Sequence, residues 1–324
     1  MMLNMTPLTA RLKVLAFASN RCLVPANNYR MKLKHIKFDL RADAILLLTA
    51  LIWGLAFVFQ RSGMDHVGPV LFSFGRFALG AVTILAIWYW RERPKAVFTL
   101  SRTNKQAALL GLVLALGMLL QQAGLVYTTA GRAGFLTGIY IVFVPILGIF
   151  FHVKTAWPTW VGILLAVAGL YFLSQVQTAE LFIGDVLVLL SAVVFALHLL
   201  MTKRLSQQVP LFQLIFVQLI VGAVISALLV PVLESWNWQG LVDASGDLLF
   251  VGVMASAVAF SLMATGLRGA PASHGAIILS FEAVFAALCG WWLLDEYLSP
   301  HELLGCGFIL AGALISQFRV LHDR

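Results

Sequence analysis

Apolar residues run in long unbroken stretches along this chain, separated by short polar segments rich in arginine and lysine. Ten stretches are long enough to be read as helical crossings: 43 to 60, 69 to 90, 107 to 127, 133 to 151, 157 to 174, 183 to 201, 211 to 232, 248 to 267, 274 to 293 and 302 to 318. A hydrocarbon core of ~30 Å is crossed by about 20 helical residues, the length these stretches approach. Strands of a lipid-facing barrel would instead alternate polar and apolar over ~10 residues, so the pattern predicts helices.

The pattern also repeats. At an offset of 142, Asp43, Thr49, Ala50, Trp53 and Arg61 fall on Asp185, Ser191, Ala192, Phe195 and Lys203, and Gly80, Ala81 and Val82 fall on Gly222, Ala223 and Val224. At 143, Ala133, Gly162 and Gly169 meet Ala276, Gly305 and Gly312. Scattered leucines align by chance, but glycine, acidic and basic positions at one near-constant offset mark a duplication. A unit that crosses five times must be followed by a copy inserted upside down. The expected fold is an all-α membrane protein of ten transmembrane helices in two inverted five-helix repeats, 43–174 and 183–318.

Composition agrees with a lipid environment. The chain is 61% hydrophobic and 11% charged, with a mean hydropathy of +0.93, whereas soluble domains carry about 25% charged residues. With the N-terminus placed inside, 19 of the 22 lysines and arginines fall on the cytoplasmic side, Arg61 and Arg132 fall outside, and Arg76 lies within a crossing. That asymmetry predicts cytoplasmic termini. It also assigns the net charge of +8 to loops facing anionic lipid headgroups, with no call for nucleic acid. Eight of the nine tryptophans sit at predicted segment ends, where indole prefers the headgroup region. Trp53 alone lies well inside a segment, as ordinary packing or as a cavity wall.

Residues 1–42 read as a basic cytoplasmic tail, with eight basic residues against one acid, Asp39. Met31 is an alternative start, and an organelle-targeting segment is a further reading. Residues 319–324 read as the cytoplasmic C-terminus. Cys22, Cys289 and Cys306 form neither a disulfide framework nor a metal-binding spacing. There is no GxxxxGK[ST] loop and neither an HExxH nor a GxSxG motif, so no enzyme activity, cofactor or metal is expected.

A charge at the bilayer centre costs ~2.5–3.5 kcal/mol or more and survives only where it faces protein or water. Glu282 and Arg76 are the two clear cases, and in the repeat alignment they fall on Ile139 and Gln218. Two readings stand: a structural ion pair between them, or a site in which Glu282 takes a proton or an ammonium while Arg76 offers its donor fork to a carboxylate. Interior polar residues Gln121, Gln122, Tyr140 and Gln218 join Arg76, Glu282 and Trp53 as candidate substrate contacts, each with interhelical hydrogen bonding as the alternative. His198, read as the one histidine inside a helix body, joins Glu282 as a candidate proton-coupling group. His274, Asp295 and Glu296 read as solvated segment ends. Gly162, Gly169, Gly305 and Gly312 read as a close-packing surface or a dimer face, consistent with a monomer or a homodimer.

Four pieces resemble the EamA-type carriers of the drug/metabolite transporter superfamily: LLLTALIWGLAFVFQRSGMDHVGP near 47–70, GRFALGA at 75–81, QQAGLVYTTAGRAGFLTGIYIVFVPILG at 121–148 and HGAIILSFEAVFAALCGWWLLDEYL at 274–298. The resemblance covers about residues 41–318 and implies a ten-helix carrier with a central polar cavity and alternating access, in a group that includes amino acid exporters. This chain departs from the pattern at Met263 and Leu267, where similar sequences often carry glutamine. It departs again at Glu282-Ala283, where they often carry Glu-Pro, so only the fourth segment, with Pro145, keeps its kinking residue. What is implied is gradient-driven export, across a bacterial inner membrane, of a small molecule for which a zwitterion such as an amino acid is one fitting form. An uptake carrier, a channel and a membrane sensor or scaffold stay open.

The charge asymmetry makes one direct prediction. A fluorescent protein that matures only in the cytoplasm is expected to glow when fused at either end of the chain; fluorescence at one end alone would contradict an even number of crossings.

Overall fold

A computed structural model describes residues 40–93, 102–128, 130–151, 153, 155–173, 183–293 and 299–322. The basic tail before residue 40, Lys154, Asp295, Glu296 and the last two residues lie outside them. Among the described residues every regular element is helical: α1 Leu40–Gly63, α2 Pro69–Glu92, α3 Arg102–Tyr127, α4 Ala130–Gly138, α5 Tyr140–Gly148, α6 Trp157–Leu173, α7 Ile183–Leu205 and α8 Leu211–Leu233. Two short turns follow, α9 Trp238–Asp243 and α10 Ser245–Leu249, then a π-helical stretch Phe250–Val258, α11 Ala259–Gly269, α12 Ala272–Leu279, α13 Phe281–Leu293 and α14 Pro300–His322.

Seven apolar stretches have the length and composition to cross a membrane: α1, α2, α3, α7, α8, Ser245–Gly269 and Ala272–Cys289. Three more apolar helices are shorter, Ala133–Gly148, Trp157–Phe172 and Leu303–Ser316. Helix is the conformation expected of such stretches because lipid offers no partner to a free backbone N–H or C=O. The groups freed at helix ends are met from within the fold. Pro69 opens α2, and the Glu234 carboxylate accepts from the backbone N–H of Val70 at 2.8 Å and of Leu71 at 3.0 Å. A carboxylate at a helix N-terminus satisfies exposed donors and opposes the positive end of the macrodipole.

The helices pack as two halves related by a swap. The closest-packed pair is α6 with α14, which are repeat mates of each other, and α2 with α8 is a second such pair. Helix α3 packs on α7, and its image under the swap, the Ser245–Gly269 stretch on α1, is present too. The α4–α5 unit packs on α7 as the α12–α13 unit packs on α1. Between α6 and α14 the backbones nearly touch: a Cβ on Gly162 would lie 2.5 Å from the Gly312 carbonyl, and one on Gly169 would lie 2.5 Å from the Gly305 carbonyl. The two contacts are images of each other, and these glycines form an intramolecular seam.

Two apolar segments, one in each half, are interrupted at nearly matching places. Ile139 separates α4 from α5 with φ −61° and ψ −13°, and Ser280 separates α12 from α13 with φ −64° and ψ −11°. Each break carries a tightened turn, Val142 N–H to Ile139 C=O at 2.9 Å and Ala283 N–H to Ser280 C=O at 3.2 Å. Both segments are therefore broken, although only the fourth keeps the kinking proline. Pro145 in α5 removes a backbone donor. In the other half there is no proline at the break; the Ser280 hydroxyl donates to the Ile277 carbonyl at 2.7 Å, a bond of the kind that Ser191 makes within unbroken α7.

Because the α6–α14 seam has no room for side chains, Gly169→Leu is expected to lower stability by about 1–3 kcal/mol, the usual cost of overpacking. Gly246, with nothing within 4 Å of its added Cβ, is the control: Gly246→Ala leaves the unfolding midpoint in detergent undiminished. A Gly169→Leu midpoint equal to that of the unaltered protein would show that the seam is not tight.

Candidate functional site

A pocket sits where the two halves meet; about 550 Å³ of space lies between its lining atoms, open solvent at its mouth included. Of the residues singled out from sequence, Trp53, Arg76, Gln121, Tyr140, His198 and Glu282 line it. Gln122 and Gln218 do not. Gln122 is fully buried with neither amide atom bonded, and Gln218 stands behind His198, its Oε1 3.0 Å from His198 Nε2.

Arg76 comes from the first half of α2 and is 2% exposed. Its Nε donates to Ser256 Oγ at 3.3 Å and its Nη1 to Gln60 Oε1 at 2.7 Å. The remaining Nη2 has no hydrogen bond to the protein among the described residues. Arg76 and Glu282 form no ion pair with each other, which removes the structural-pair reading. Glu282, in the first turn of α13 just past the break, is 3% exposed, and its Oε1 is unbonded. The Tyr140 hydroxyl, in the first turn of α5 past the other break, is unbonded as well. Thus each helix break brings a polar side chain to the cavity, and Gln121 is held beside them by its bond to Thr137 Oγ1 at 2.9 Å.

One wall is aromatic. The Trp53 ring meets Phe260 edge-on at 5.2 Å between centroids, and His198 meets the same ring at 5.7 Å. The Trp53 indole N–H donates to the Ala255 carbonyl at 3.0 Å, inside the π-helical stretch. That stretch also carries Ser256, the partner of Arg76. π-helical turns are rare and occur often at functional sites. Here the stretch both receives Trp53 and presents the hydroxyl that holds the guanidinium.

The lining follows the duplication. At the 142-residue offset Trp53 pairs with Phe195, Ala56 with His198, Phe57 with Leu199 and Met118 with Phe260. Gln121 likewise pairs with Met263, Thr137 with Leu279, and Tyr140 with Glu282. At this offset Glu282 pairs with Tyr140, and at the 143-residue offset with Ile139; Tyr140 and Glu282 both line the cavity. Residues that sequence reasoning passed over, Gln60, Phe57, Phe195 and Phe260, lie on the same helix faces as those it named. Positions 53, 56, 57 and 60 share one face of α1 at helical spacing, and that periodicity was the available signal. A second correction concerns His274: it lies inside α12 and is buried, with Nδ1 2.8 Å from Ser316 Oγ and Nε2 3.2 Å from Asp43 Oδ1. It bridges three helices, so His198 is not the one histidine within a helix body and solvation does not explain His274.

Apolar helices able to cross a bilayer, arranged as swap-related halves around a cavity that a few polar side chains reach, with broken helices at its edge, have the build of a membrane transporter. The model of the EamA-like transporter family matches residues 40–175 and again residues 182–318, and the chain belongs to that family. An uncharacterized transporter of Archaeoglobus fulgidus is 31% identical over 285 residues, 87% of each chain. The uncharacterized transporter YwfM of Bacillus subtilis is 27% identical, over 83% of this chain and 91% of its own. A solved structure that is 17% identical superposes with a TM-score of 0.73, covering 86% of this chain and 97% of its own, and so has the same fold.

Proposed function

We propose that this protein is a secondary carrier that moves a small zwitterionic metabolite, of the amino acid type, across a bacterial inner membrane by alternating access. Ten helical crossings, with the three shorter apolar helices completing the set and both termini in the cytoplasm, form its frame. One observation carries the substrate class: a single cavity holds an arginine with an unused donor and a carboxylate with an unused acceptor, and the two do not neutralise each other. A buried charge without a partner is costly, so a cavity holding one of each sign is most stable when something else completes both. A molecule with a carboxylate for the Arg76 fork and an ammonium for Glu282 does that, and the rings of Trp53 and Phe260 cover its apolar part.

Glu282 in this scheme accepts the substrate ammonium, or a proton when the site is empty. His198 is occupied by Gln218 and serves to shape the wall. Outward is the direction of the amino acid exporters included in the carrier group that the sequence resembles.

Glu282→Gln keeps the size of the side chain and removes its charge. In sealed vesicles the variant is expected to insert at the normal level and to carry a mixture of amino acids at least about tenfold more slowly, since losing a charged contact in a desolvated site costs about 2 kcal/mol or more. Undiminished gradient-driven flux through Glu282→Gln would overturn the role given to this carboxylate.

A further inference from the structure

The cavity departs from its own symmetry at one place. Taken at the 142-residue offset throughout, every lining residue but two pairs with another lining residue, and the two exceptions, Gln60 and Arg76, are hydrogen-bonded to each other. At the same 142-residue offset their mates are Thr202 and Gln218. Both mates are fully buried and neither lines the cavity. Each also has a buried polar atom with no partner, Thr202 Oγ1 and Gln218 Nε2. Native interiors leave few such atoms unpaired, and each one calls for an explanation.

The ends of the bundle are one-sided in the same sense. Arg61 and Lys203 are repeat mates, and so are the carbonyls they reach, Leu125 and Leu267. Arg61 Nη1 lies 3.4 Å from the Leu125 carbonyl, a single long bond from an exposed side chain. Lys203 Nζ lies 2.5 Å from the Leu267 carbonyl and 3.3 Å from that of Arg268, while Arg268 Nε donates back to the Ser206 carbonyl at 2.7 Å. One latch is tight and reciprocated, and its image is loose. The cavity reaches Gln60, next to the loose latch, and stops short of Thr202, next to the tight one.

Two halves with the same fold can exchange conformations, and the exchange turns each local asymmetry around. We infer that Thr202 and Gln218 are the second face of the binding site: they line the cavity when the Lys203 latch releases and the Arg61 latch tightens, while Gln60 and Arg76 withdraw. The inference rests on the carrier reading only for the existence of that second state. It has a consequence for affinity. A carboxylate meets a guanidinium when the cavity reaches toward Arg61 but only a neutral amide and a hydroxyl when it reaches toward Lys203. The charge that breaks the repeat therefore makes binding of an anionic group tighter on the Arg61 side.

The test needs no substrate. In a chain whose three cysteines are replaced by serine, Gln60→Cys and Thr202→Cys are introduced one at a time, and permeabilised membranes are treated with a charged methanethiosulfonate that modifies thiols in contact with water. With native latches the thiol at position 60 reacts and that at position 202 does not. Adding Lys203→Ala raises the reaction rate at position 202 by roughly tenfold, the scale set by losing a hydrogen bond to a charged donor, and lowers the rate at position 60. Lys203→Met, which keeps the aliphatic stem, serves if the alanine variant fails to insert. Protection of position 202 with and without the lysine overturns the inference, and so does a parallel rise at both positions. Reciprocal labelling without amino acid flux would sink the proposed substrate and leave the second face standing; flux without reciprocal labelling would do the reverse.

Discussion

A guanidinium inside an apolar bundle must be hydrogen-bonded by the protein, and the way Arg76 is held organises everything around it. Gln60 of α1 and Ser256 of the π-helical stretch take two of its nitrogens, so three parts of the bundle meet at one charge. Ser256 stands there because nine residues, Phe250–Val258, wind as a π-helix, and the Trp53 indole bonds a carbonyl of that winding. The corresponding part of α3 is uninterrupted helix, so the second half departs from the first where it serves the arginine. A planar donor fork with one unused corner, facing a cavity, is suited to a carboxylate.

The rest of the frame follows from duplication. Swap-related packing fixes where the halves touch, and the glycine seam between α6 and α14 brings two backbones as close as they can come. Each half supplies one broken apolar segment, and each break delivers a polar side chain to the same space, Tyr140 from one and Glu282 from the other. One broken segment carries a proline, Pro145, and the other has none at its break, where Ser280 bonds the Ile277 carbonyl.

Much of this was legible in the residues. Long apolar runs foretold helices, the near-constant offset foretold the swap, and the cost of burying charge pointed to Arg76 and Glu282 before any coordinates. What periodicity could not supply was partnership. Nothing in the string says that Arg76 bonds Gln60 and Ser256 rather than Glu282, because those residues lie 16 and 180 positions away along the chain. Nor could the string show that His274 is buried: a histidine near a segment end looks solvated until Asp43 and Ser316 are found against it. The break at Ser280 was missed because proline is the signal that sequence patterns offer, and residues 272–293 contain none.

The central claim is that one cavity binds both ends of a zwitterion. It is tested most directly by thermal unfolding of the purified protein against a panel of amino acids and the matching amines that lack the carboxylate, with Arg76→Met alongside. A two-ended site predicts that amino acids raise the unfolding temperature, that their amines do not, and that Arg76→Met abolishes the difference. Equal stabilisation by amines and amino acids, or stabilisation that survives Arg76→Met, would contradict it.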